Sequence, residues 1–182
     1  MPKGNLKKTR VLVPAVTAAL VVMMTGTMLS TTAFAQELID ATTDRGLKFV
    51  NDPVVTVNKD GDTASLSASG EVSGAGTGGT ATLSSTAEVT VGCIVPGASE
   101  NEPQGLQTED EDVVGEATLD VTRNGRGTFD FTTDTVGIPS DFDCPSRNME
   151  ETLVSVLFTD ITLTVTTDEG KSITATFTDV DP

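Results

Sequence analysis

Two kinds of residue in this 182-residue chain have types and spacing that could do chemistry: a pair of cysteines and two groups of carboxylates. Cys93 and Cys144 are the only cysteines. An even thiol count in an oxidising compartment predicts one disulfide. A two-thiolate zinc site would need further ligands, and the chain has no histidine to supply them. The carboxylates flank the same two positions. Glu100, Glu102 and the run Glu109-Asp110-Glu111-Asp112 lie in a stretch from Pro96 to Asp112, and Asp141, Asp143 and Glu150 lie between Gly137 and Glu150. Both stretches read as long loops, which a bridge would pin at one end of the fold. Carboxylate oxygens gathered in this way suit Ca²⁺, which takes six to eight hard ligands. The candidate ligands are Glu109, Asp110, Asp112, Asp141 and Asp143, and calcium is the only cofactor these residues suggest. No spacing here matches a known ligand loop, so a solvated surface beside a staple is the competing reading.

Other chemistry is missing. The absence of His, Tyr and Trp removes histidine-based triads and histidine-ligated copper or zinc. Gly74-Ala75-Gly76-Thr77-Gly78-Gly79 looks like a phosphate loop, but a strand pattern follows it where that motif needs a helix. A pair of carboxylates could hydrolyse a glycoside. Sugar sites use aromatic platforms, and the phenylalanines fall mostly at inward-facing positions, so the expectation is a non-enzymatic protein, with a carboxylate hydrolase as the alternative.

The N-terminus has the order of an export signal. Lys3, Lys7, Lys8 and Arg10 precede an uncharged, mostly apolar stretch from Val11 to Leu29, and Ala33-Phe34-Ala35 supplies a small-x-small cleavage site. Cleavage before Gln36 divides the chain into a signal peptide, 1–35, and a single domain, 36–182. The rival is an uncleaved anchor, since about 18 apolar residues can just span a bilayer. Pro14, Gly26, Thr17, Thr25 and Thr27 dilute the stretch. The expectation is an extracellular, released product without stable membrane insertion. All 27 acidic residues and seven of the 11 basic ones fall after the cut, a formal charge of −20 against −16 for the whole chain. Such a charge repels nucleic acid and anionic membranes, which leaves an extracellular partner of unspecified kind.

The elements that must position these groups are strands. Period-two alternation runs from Ala81 to Cys93, with Ala, Leu, Ser, Ala, Val, Val and Cys at odd positions and Thr, Ser or Glu at the even positions from Thr80 to Thr90. Ala64, Leu66, Ala68 and Val72 form a second inward row. Ala117, Leu119 and Val121 form a third, and Ile161, Leu163 and Val165 are placed to pair with Ile173, Ala175 and Phe177. Asn124-Gly125 suits a two-residue hairpin. The apolar run from Leu153 to Phe158 reads as a central strand buried on both faces. The expected fold is all-β: a two-sheet antiparallel β-sandwich, broadly immunoglobulin-like, with about eight strands and one disulfide. A closed barrel is the alternative.

Three stretches carry a resemblance. Gly70-Glu71-Val72-Ser73-Gly74-Ala75-Gly76 is a Gly-rich strand start. Val91-Gly92-Cys93-Ile94-Val95-Pro96-Gly97 ends a Thr/Ala-alternating strand in cysteine, and Pro103-Gln104-Gly105-Leu106-Gln107 is a Pro/Gly/Gln loop. In these the chain resembles uncharacterised secreted bacterial β-sandwich proteins. The motifs are structural; the resemblance implies a secreted sandwich and no particular activity.

Overall fold

The computed structural model describes residues 33–44, 46–97 and 102–180. The expected leader therefore lies outside the described residues except for its last three. Every regular element described is a strand: β1 (Ala33–Ala35), β2 (Leu38–Ala41), β3 (Lys48–Phe49), β4 (Val54–Asp60), β5 (Thr63–Ser73), β6 (Gly79–Ile94), β7 (Gln104–Thr118), β8 (Asp120–Val121), β9 (Arg126–Thr132), β10 (Val136–Gly137), β11 (Glu150–Thr167) and β12 (Ser172–Phe177). Seven of these have six residues or more, and five short strands bring the count above the eight that alternation suggests. Segments of two to four residues are too short to show a period.

The strands form two antiparallel sheets packed as a sandwich. One runs β1-β4-β5-β9-β8, with β3 and β10 also paired to β5; the other runs β2-β12-β11-β6-β7. The odd positions of β6 from Ala81 to Cys93 are all buried. Val55, Val57, Leu66 and Val72 face them from the other sheet, and Phe158, Ile161, Leu163 and Ile173 complete the centre of the core. Leu163 pairs with Ala175 and Val165 with Ile173, as alternation predicts. Gly70 sits opposite Phe129 in the β5–β9 ladder. A Cβ there would lie 2.6 Å from the ring's Cζ, so glycine is what lets the ring lie across β5.

Two local expectations are corrected. Gly125 takes φ +71° while Asn124 does not enter the positive region. Its N–H donates to Thr122 C=O and Thr122 N–H donates to Arg126 C=O, so the hairpin is a longer turn closed by one left-handed glycine rather than a two-residue Asn-Gly turn. Gly170 closes the β11–β12 hairpin in the same way. The β11 run from Leu153 to Phe158 is not buried on both faces: Val154 is exposed while Leu153, Val156 and Phe158 are buried. A register shift between Leu153 and Ser155 inserts Val154 as an extra residue, which breaks the alternation and produces the dense apolar run.

A second shift, between Thr159 and Thr162, sets Asp160 and Ile161 against the single residue Ser85. Asp160 is the one non-glycine at positive φ among the described residues, at 53°; aspartate is among the few side chains that tolerate this region. The bulge explains why a serine interrupts the inward apolar row of β6. The Ser85 hydroxyl donates to Thr159 C=O at 2.8 Å, giving a partner to a carbonyl that the distorted ladder turns away.

Candidate functional site

The central strands of the second sheet outrun the first sheet. β11 has 18 residues and β6 has 16, against 11 for β5, the longest strand opposite. At about 3.4 Å per residue, one end of the second sheet has no sheet facing it. Its inner surface there presents Val89, Val91 and Cys93, which are nonetheless buried. The cover is the irregular segment 138–149. Phe142 is buried in the core cluster, and Ile138, Cys144 and Met149 pack against it. The predicted bridge between Cys93 and Cys144 is formed, with Cα atoms 5.8 Å apart. It ties the middle of the cover to the end of β6.

The acidic run does not lie in a loop, contrary to expectation. Glu109, Asp110, Glu111 and Asp112 are interior residues of β7, paired with Val89, Glu88, Ala87 and Thr86 of β6. Strand alternation then divides them. Glu109 and Glu111 share the inner face with Val89 and Ala87; Asp110 and Asp112 share the outer face with Glu88 and Thr86. Residues Gln104–Asp112 are exposed throughout, because β7 is the edge strand of this sheet and here extends beyond its partner layer.

Glu109, Asp110 and Glu111 line an open cleft of about 290 Å³ with Val89, Pro139, Ser140 and Asp141. The fold thus brings Asp141 of the stapled segment to the acidic strand, as the loop-pinning expectation required. It does not bring Asp112 or Asp143 to this cleft. Asp112 belongs to a groove of about 330 Å³ on the other side, with Ser84, Thr86, Val114 and Asp160, and the Thr86 hydroxyl donates to its carboxylate at 3.4 Å. Among the described residues, no three Asp, Glu, Cys or His side chains are grouped closely enough to hold a metal ion. The five proposed calcium ligands are instead spread along a strand and its cover.

Directly opposite one another on the outer face, Glu88 and Asp110 are like charges, a pairing that costs stability. The exposed ion pairs lie elsewhere: Arg126 with Glu71 at 2.9 Å and Lys171 with Glu169 at 2.7 Å. The Lys171 ammonium, by hydrogen bond and by charge, holds the Glu169 carboxyl below its ordinary pKa. The groove at Asp160 was missed in the sequence, where Asp160 reads as one polar residue in an alternating strand. Only the broken period around it hints at the bulge.

The expected cleavage residues are also placed. Ala33, Phe34 and Ala35 form β1, in register with Asn58, Val57 and Thr56 of β4, and Gln36 N–H donates to Val55 C=O at 2.7 Å. No helix among the described residues is long and apolar enough to cross a membrane. No family model matches the chain, and no curated protein matches it.

Proposed function

We propose that this chain is exported, cut before Gln36 and released, and that it acts at or outside the cell surface as a non-enzymatic binding or assembly protein. In this reading it belongs with the secreted bacterial β-sandwich proteins it resembles, and it is immunoglobulin-like in the broad sense of two packed antiparallel sheets. One observation carries the binding reading. The overhanging end of the second sheet is a fixed acidic surface, with Glu109 and Glu111 on a ladder-bound strand facing a cover that the Cys93–Cys144 bridge holds in place, and Asp110 between them on the outer face. Side chains fixed on strands meet a partner with less ordering cost than side chains on a free loop. Calcium is the second reading; it rests on Glu109 and Asp141 lining one cleft, two carboxylates to which backbone or water oxygens would have to be added.

The test is capture by the immobilised exported protein from its producer's medium and cell-surface fractions. A partner retained by the native protein and lost at least tenfold with Glu109→Gln, Asp110→Asn and Glu111→Gln combined is the expected result. Capture that ignores the triple change contradicts the acidic surface. Hydrolytic turnover abolished by a single carboxylate change contradicts the non-enzymatic reading, and a calcium-dependent rise in Tm lost in the triple variant favours the second reading.

A further inference from the structure

Each edge of a sheet presents unpaired N–H and C=O groups, and β-proteins guard such edges with short strands, charges or covers. In this protein the guards can be followed edge by edge. β8 and β10, two residues each, close one side of the first sheet, and β2, four residues, closes one side of the second. The β7 edge carries four consecutive carboxylates in its exposed half. Further on it is covered, where Asp134 N–H donates to Val114 C=O and the Thr133 backbone lies against Gly115.

β4 is guarded differently. From Val54 to Asn58 it carries no charge and is mostly β-branched, and Val54 is exposed. What covers its edge is β1, the three residues just before the predicted scissile bond. Cleavage between Ala35 and Gln36 takes β1 away, and with it the pairing of Thr56, Val57 and Asn58; the Gln36 N–H to Val55 C=O bond lies beyond the cut. An uncharged edge of five residues, Val54–Asn58, is then open.

We propose that removal of the leader frees β4 to pair with β4 of a second copy of this chain, joining the two first sheets across a two-fold axis. This rests on the export reading above. Two features favour a second copy as the occupant. β1 already shows that the edge accepts an extended segment in the antiparallel sense, and antiparallel pairing of one strand with its own copy is self-complementary, as a two-fold interface requires. In addition, Val54–Asn58 is an uncharged stretch on a protein whose formal charge after the cut is −20. Two such molecules meet little local repulsion along it, whereas the uncharged Gln104–Thr108 of the β7 edge runs straight into Glu109–Asp112; the remaining long-range repulsion is screened by salt.

The experiment is sedimentation of the exported protein over a concentration series up to about 1 mM, since a short edge contact is a weak one, in low and in high salt, after its mass has confirmed Gln36 as the first residue. A dimer whose fraction rises with salt is expected. Val54→Lys with Thr56→Lys lowers the net negative charge, so general repulsion predicts more association; edge pairing predicts at least a tenfold weaker dimer with Tm preserved. A monomer under all conditions, or a dimer indifferent to the two lysines, overturns the proposal. A first residue at or upstream of Ala33 contradicts the predicted cleavage site instead, since β4 would then remain covered.

Discussion

Replacing Cys93 and Cys144 together by alanine is expected to lower the unfolding free energy by about 4 kcal/mol. The bridge closes a loop with a sequence separation of 51, and in the chain-entropy model most of the loss comes from freeing the unfolded chain. A second loss comes from the native state. Without the bridge, the segment 138–149 is held over Val89, Val91 and Cys93 only by Phe142 and the half-buried Ile138 and Met149. Amide exchange should therefore accelerate in 138–149 and along the overhanging ends of β6 and β11 before it accelerates in β5 or β12. Denaturant unfolding of the oxidised native protein and the double variant measures the first effect. A loss under 1 kcal/mol, or uniform acceleration of exchange, contradicts this role for the bridge.

Phe158→Ala is expected to cost about 3–5 kcal/mol, the range for truncating a fully buried aromatic. Phe158 is wholly inaccessible and is the largest of the fully buried side chains. Its position adds to the cost. It lies just before the Asp160 bulge, its N–H and C=O exchange hydrogen bonds of 2.8 and 2.9 Å with Val180, and it pairs with Ala87 on β6. Ala87, the partner opposite, is too small to fill the space the ring would leave. Phe158→Leu should recover much of the loss, because it restores most of the volume. Equilibrium unfolding of both variants tests this, and a cost below 1 kcal/mol for alanine would show that the core does not centre here.

The legible and illegible parts of the fold differ in one physical respect. Where a strand has one wet face and one dry face, the period of two is written into the residues. Ala81–Cys93, Ala64–Val72 and the Leu163–Ala175 pairing are all readable from that contrast. The acidic stretch of β7 has no such contrast, because both its faces are exposed beyond the sandwich. Glu109–Asp112 therefore reads as a loop, although the β6 ladder holds it as a strand. The error carried into the site: a loop can gather Asp110 and Asp112 on one ion, whereas a strand turns them away from Glu109 and Glu111. The cysteines were readable because two of them leave one pairing within the chain. That the bridge fastens a cover over an overhanging sheet was not readable, since it depends on the unequal lengths of β5 and β11. Ser85 was visible as a polar residue in an apolar row, but its reason lies across the ladder at Thr159.

A processed, released and stapled protein is the expectation on which the proposed binding role and the β4 pairing both depend. Intact mass spectrometry of the protein from the producer's culture medium tests that directly. The predicted mass is that of Gln36–Pro182 less two hydrogens for the Cys93–Cys144 bridge. A product that keeps residues 1–35, stays with the cells, or carries two free thiols would contradict it.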